Sequence, residues 1–188
     1  MKHILILIFF LQLSSECIAQ QEHRISGWGT VGLGLSSFGF DDGDGGVSNN
    51  FGFAVRYDNF TLKYKRGAIY EIAIFKSQEQ AKSHELLLGY TIDLAPGIDE
   101  KHNYSDLFLS FSSGIGELDY LSRGKLLSST FLNNEYEMNT NSATAFPLEI
   151  ECEFWVSHYF GISLTAFSTI SKFRPVIGSN LCFRLGDL

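Results

Sequence analysis

The sequence predicts an all-β fold: a single antiparallel, up-and-down, eight-stranded transmembrane β-barrel that follows a cleaved signal peptide. Three observations lead there. Apolar and polar residues alternate with a period of two over eight separate segments, the pattern of strands with a different environment on each face. The connections between those segments alternate short and long, as in a meander with all its tight turns at one end. The chain also opens with a short polar start, an apolar run and a small-residue exit, the layout of an export signal. Composition agrees with these patterns. The 188 residues are 45% hydrophobic, 14% aromatic and 19% charged, with 18 Gly and 17 Phe, which excludes intrinsic disorder and suits one domain with a sizeable core. A net charge of −7 excludes nucleic acid as a partner, because phosphate binding needs a basic face.

Lys2 and His3, the apolar run Ile4 to Leu13, and the exit Ser14 to Ala19 predict a signal peptide over residues 1–19 and a barrel domain over 20–188. The apolar run is about half the ~20 residues that a spanning helix needs. Cys17 raises the alternative of a lipid-modified cysteine, but Glu16 stands where that signal takes a small residue.

The predicted strands follow in order. Val31, Leu33 and Leu35 alternate with Gly32, Gly34 and Ser36; Phe51, Phe53, Val55 and Tyr57 alternate with Gly52, Ala54 and Arg56. Phe60, Leu62 and Tyr64 alternate with Thr61, Lys63 and Lys65, and Leu86, Leu88, Tyr90 and Ile92 with Glu85, Gly89 and Thr91. In the second half, Leu107, Leu109 and Phe111 oppose Ser110 and Ser112, while Leu148, Ile150, Cys152, Phe154 and Val156 oppose Glu149, Glu151 and Glu153. Phe160, Ile162, Leu164 and Ala166 oppose Gly161, Ser163 and Thr165; last, Ile177, Leu181, Phe183 and Leu185 oppose Gly178, Asn180 and Arg184. Cys152 and Cys182 fall on opposite faces by this parity and cannot form a disulfide. Tight turns are expected at Tyr57–Phe60 and Val156–Tyr159, a modest one at Ala95–Asn103, and long polar loops at Phe38–Asn49, Phe75–Ser83 and Glu117–Ala145.

Alternation alone leaves open which face meets water. A soluble periplasmic barrel binding an apolar ligand would turn Leu86, Leu88 and Tyr90 inward; a membrane barrel turns them to lipid. Strand lengths suited to a bilayer crossing favour lipid. So do aromatics near strand ends at Trp28, Tyr57, Phe60, Tyr90, Tyr104, Trp155, Tyr159 and Phe160, read as an interfacial girdle. The interior of an eight-stranded barrel is just wide enough for side chains to fill. Glu85, Glu149, Glu151 and Glu153 would then share a narrow lumen with Arg56, Lys63, Lys65 and Arg184, four anions against four cations that must pair.

The segment FPLEIECEFWVSHYFGISLTAFSTISKFRPVIGSNLCFRLGDL, Phe146 to Leu188, resembles the end of a family of small exported eight-stranded barrels from Gram-negative, Bacteroidetes-like bacteria. The likeness rests on Pro147–Leu148–Glu149, an aromatic turn, Gly161–Ile162–Ser163 and a closing strand near Leu185–Gly186, with Glu85–Tyr90 similar to that family's central strand. The resemblance implies an outer-membrane barrel and brings no activity with it. Leu181, Phe183 and Leu185 keep the alternation that barrel-assembly machinery recognises, although the chain ends on Leu188 rather than an aromatic residue.

Two stretches invite a chemical reading. Ser83–His84–Glu85 has the residue types of a lipid-hydrolase relay, yet in a strand His84 points opposite to its neighbours. Asp41–Gly46 looks like a cation loop but lacks EF-hand spacing and its distal Glu. No zinc, nucleotide or dinucleotide motif occurs in the sequence, so no cofactor or metal is implied. The expectation is therefore a non-enzymatic outer-membrane barrel with a charge-filled lumen, in contact with membrane lipid, with a structural or surface-interaction role through its external loops. A lipid-modifying barrel enzyme and the soluble barrel stand as the alternatives.

Overall fold

The computed structural model describes residues 25–38, 45–72, 78–94, 106–129 and 134–187. They form eight strands: β1 (Ile25–Phe38), β2 (Gly45–Tyr57), β3 (Phe60–Glu71), β4 (Gln80–Asp93), β5 (Asp106–Ser129), β6 (Asn134–Ser157), β7 (Phe160–Ser171) and β8 (Val176–Asp187). Each pairs antiparallel with its chain neighbour, and β1 pairs with β8 to close the barrel. The expected signal peptide lies outside the described residues, as do Tyr104 and Asp41 to Asp44 of the acidic loop.

The period-two pattern sorts cleanly between the two faces. On β2, Phe51, Phe53, Val55 and Tyr57 are exposed on the outer wall while Asn50, Ala54 and Arg56 are buried. On β6, Phe146, Leu148, Ile150, Phe154 and Val156 face out, and Glu149, Glu151 and Glu153 face in. The soluble-barrel arrangement, with the Phe-rich face lining a cavity, is thereby overturned. Cys152 is exposed on the outer wall and Cys182 is buried inside, and both are free thiols.

The two-residue turns at one end hold as expected. Asp58 adopts a φ of 52° between β2 and β3, a conformation that short hairpins need and that Asp tolerates better than branched residues. The other end departs from the sequence reading. Residues 117–145, expected as a loop, are mostly strand. β5 and β6 are 24 residues each, against 12 to 14 for the other six, and their ladder continues to Ser129↔Asn134. β4 leaves β5 at Leu121 and β7 leaves β6 at Ala145, so the hairpin rises past the barrel wall as a two-stranded ribbon. Its polar Ser, Asn and Thr residues gave no apolar alternation to read, because both ribbon faces meet solvent.

Trp28 and Trp155, expected in the outer girdle, are instead inside, 4% and 1% exposed. Their parity matches the inward set: Trp28 belongs with Ser26 and Thr30, Trp155 with the glutamates. Each ring has a glycine directly opposite it on the next strand, Trp28↔Gly186 and Trp155↔Gly161. A Cβ on Gly161 would sit 2.9 Å from the Trp155 ring, and one on Gly186 2.6 Å from Trp28 Cβ. Glycine is thus required there by close approach, and the two rings meet edge to face at 5.6 Å. Gly161→Val should displace the Trp155 ring and cost about 1–3 kcal/mol of stability as an overpacked core does. Urea unfolding in detergent micelles reads this directly, and a midpoint equal to wild type would contradict the packing.

Candidate functional site

Inside the barrel the side chains fall into layers along the axis. Nearest the short-turn end, Trp28, Ala54 and Trp155 pack with Phe108. Toward the opposite end, Phe38, Ile69, Ala81, Leu118, Tyr120, Ala145, Phe167 and Val176 form a second apolar cluster with Phe173. The charged residues lie between. On β6 the order is Trp155, then Glu153, Glu151 and Glu149, then Pro147 and Ala145, so one strand samples floor, charge layer and ceiling in turn.

The eight charged residues read from the sequence meet in that middle layer. Arg56 reaches Glu153 at 2.6 Å; Arg184 bridges Glu151 at 2.5 Å and Glu153 at 2.6 Å. Lys63 contacts Glu151 at 2.5 Å and Glu149 at 3.9 Å, and Lys65 pairs with Glu149 and, at 2.9 Å, with Glu85. Period-two spacing produces this network: Glu149, Glu151 and Glu153 form a column on β6, and Lys63 and Lys65 form the matching column on β3. Hydroxyls fill remaining acceptor positions. Ser163 donates to Glu151 at 2.6 Å, Ser110 to Glu153, and Thr169 to Glu85 at 3.2 Å. Arg56 and Arg184 also flank the Trp28 ring, at 4.8 and 4.9 Å from its centroid, so the aromatic floor contributes cation–π contacts.

The free space within is small. One cavity of about 30 Å³ is bordered by Thr30, Asn50, Lys63, Glu151 and Arg184, and another of about 20 Å³ by Ser48, Lys65, Glu85 and Asn180. Each is of the order needed for one or two waters.

A second charged cluster, absent from the sequence reading, lies at the long-loop end. Arg123 donates from Nη1 to both carboxylate oxygens of Glu71, at 3.0 and 2.8 Å, and its backbone N–H donates to Glu79 at 3.0 Å. Tyr120 donates to the other Glu79 oxygen at 2.6 Å. Beyond Ile115 the outward positions of β5 are Glu117 and Asp119, so this cluster lies above the apolar part of the wall. Burial, and then the adjoining Glu79 carboxylate, push the Tyr120 hydroxyl well above its ordinary pKa. Parity alone marks Glu71 as inward with Lys63 and Lys65. Arg123 carried no such signal, since it reaches over the start of β4 from a segment read as loop.

The remaining residues are placed as follows. Tyr57, Phe60, Tyr90 and Tyr159 are exposed on the outer wall or its turn at the short-turn end, and Phe160 is half-buried beside them. Ser83 and Glu85 are buried inside while His84 faces out, its Nδ1 hydrogen-bonded to the Tyr64 hydroxyl at 3.0 Å. The trio therefore forms no relay. No group of three metal-ligating side chains occurs among the described residues.

Removing Arg184 would leave Glu151 and Glu153 short of a cation in a site with almost no water. Arg184→Leu should destabilise the barrel by about 3–5 kcal/mol, the cost of an unpaired buried charge. A smaller loss is expected for Arg184→Lys, which keeps the charge but not the two-carboxylate reach. Equal stability of Arg184→Leu and wild type in a urea titration would count against a dry network.

Comparison with known proteins points to the fold. No protein-family model matches the chain, and no curated protein matches it. Among solved structures, Neisserial surface protein A matches with a TM-score of 0.56 and 8% identity, over 88% of this chain and 99% of that one. Ail, the attachment invasion locus protein of Yersinia pestis, matches in complex with the heparin analogue sucrose octasulfate with a TM-score of 0.50 and 14% identity, over 88% and 99%. The Ail structure described without that analogue matches with a TM-score of 0.50, 11% identity and the same coverage. These neighbours are small eight-stranded outer-membrane β-barrels, and at such identities what they share with this chain is the fold: an all-β, antiparallel, up-and-down barrel of eight strands.

Proposed function

We propose that the chain is a non-enzymatic outer-membrane barrel, exported from a Gram-negative cell after loss of residues 1–19 and inserted by barrel-assembly machinery. In this reading it is a closed, charge-filled scaffold whose external end supports a structural or surface-interaction role. The observation that carries the reading is the inversion of the two faces: large apolar side chains cover the outer wall while eight paired charges face the interior, seven of them buried and Lys65 partly so. Water as the outer solvent would make that wall an aggregation liability; lipid makes it the stable arrangement. The dimensions agree. The outward apolar run from Phe146 to Val156 on β6 covers about 25 Å at ~3.3 Å per residue and a ~40° tilt, the height of an outer-membrane apolar band.

Tyr57, Phe60, Tyr90 and Tyr159 suit the headgroup level at the periplasmic face, which puts the long-loop end outside the cell. With its interior occupied, the barrel has no room for a substrate, and interaction falls to the external end, as is common for loops on rigid scaffolds.

Two measurements test this. Unboiled protein from urea-washed membranes should migrate differently on a gel from boiled protein, the mark of a closed detergent-resistant barrel; recovery in the soluble fraction without a shift would sink the proposal. In planar bilayers the wild type should show no steady ion conductance, because the free space inside is only water-sized, about 30 and 20 Å³.

A further inference from the structure

The ribbon formed by the ends of β5 and β6 has two edges of different character. The β5 edge is blunted. Its ladder with β6 is irregular between Arg123 and Leu126 and again between Leu126 and Ser128, and Glu79 accepts the Arg123 backbone N–H at its base. Bulges and covering groups of this kind stop a strand from recruiting another. The β6 edge has neither. Its pairing with β5 runs without a shift from Met138 to Ala145, and β7 ends at Ser171 opposite Ala145. Among the described residues no strand lies against the far side of β6 from Met138 to Thr144.

The backbone there is set to pair. Ser122 Oγ donates to the Asn139 carbonyl at 3.5 Å, so Asn139 presents its backbone groups to β5. By the alternation of antiparallel strands, those of Met138, Thr140 and Ser142 point to the bare edge. The segment Met138–Asn139–Thr140–Asn141–Ser142–Ala143–Thr144 contains no Pro, Lys, Arg, Asp or Glu, and hence none of the side chains that natural edges use as guards.

We propose that this edge is a self-recognition site, pairing antiparallel with the same edge of a second copy of this chain. The segment is its own complement. With the two-fold axis at 139, 140 or 141, only Met, Asn, Thr, Ser and Ala face one another within it, and Glu137 faces Asn141, Ala143 or Ala145. None of these three registers sets Glu against Glu, and Asn and Thr cross-strand pairs add side-chain hydrogen bonds. A charge-free edge offers a charged partner nothing to recognise. The geometry also fixes orientation. Copies in one membrane run β6 in the same direction, so antiparallel pairing joins copies that face each other from opposed membranes. The contact is an isologous one, and many weak pairs between two surfaces act together.

The proposal rests on the outer-membrane reading, and the experiment separates the two. Full-length protein is reconstituted into phosphatidylcholine vesicles, with the boiled and unboiled gel shift recorded for every preparation and clustering followed by light scattering. Wild-type vesicles should cluster, with a several-fold rise in mean diameter. On a Glu137→Gln background, vesicles carrying Asn139→Lys with Asn141→Lys, or Asn139→Glu with Asn141→Glu, should stay dispersed alone, because each pair of changes then sets like charges together, with no opposing Glu137, in all three registers. Mixing the two variant populations should restore clustering. Wild-type protein that keeps its gel shift but leaves vesicles dispersed overturns the edge proposal alone. So does clustering by either variant alone, or a mixture that stays dispersed. Wild-type protein with no gel shift overturns the barrel reading and the edge proposal with it.

Discussion

Three carboxylates stacked at alternate positions of one strand, Glu149, Glu151 and Glu153, place a demand that the rest of the barrel meets. A buried carboxylate without a cation costs several kcal/mol, and three within one column would not fold. The structure answers from three other strands, with Arg56 on β2, Lys63 and Lys65 on β3 and Arg184 on β8, while Glu85 on β4 balances the fourth cation. These pairs are remote in sequence: Arg56 and Glu153 are 97 residues apart and Lys63 and Glu151 are 88. The network can form only when the barrel has closed, and it ties β2, β3, β4 and β8 to β6 across the interior. Replacing such a network with apolar side chains is often no less stable, so its contribution here lies in register. A slip of one residue on β3 would turn Lys63 and Lys65 to the outer wall and strand the glutamates.

The layers above and below reinforce this. Trp28 and Trp155 close the short-turn end over glycines, and the Phe38–Tyr120–Phe167 cluster closes the other. Between them the ion pairs are shielded from bulk water, which strengthens each attraction and raises the penalty for any unpaired group. The barrel is closed and its described interior is filled by these layers, and Ser83 and Glu85 lie on the opposite face from His84 by strand geometry.

The long-loop end is organised differently from the wall. Arg123 reaches from β5 over the start of β4 to Glu71 and Glu79, fastening the base of the ribbon to the β3–β4 connection. The ribbon therefore emerges from a held foundation rather than as a loose tether. One edge is spent on that attachment and its irregular ladder, and the other continues the regular β6 strand beyond the wall. An unguarded edge on a fixed support is an arrangement that evolution usually avoids unless strand pairing is used.

The sequence by itself determined the strands of the wall, the split of residues between two faces and the eight charges that share one of them. Each of these follows from a period of two, which survives in the primary structure without any knowledge of neighbours. The same parity placed Trp28 and Trp155 inward, and reading them as girdle residues set residue type above position. Other features needed the closed barrel. Alternation is unchanged when the two faces are exchanged, so inside and outside were decided by curvature and closure, which put the charges where they could meet. The ribbon escaped notice because a two-stranded element wet on both faces carries no hydrophobic period. The Arg123 strap and the bare β6 edge exist only because β4 and β7 stop short of their partners. That is a difference in strand length around the ring, written in no single segment of the chain.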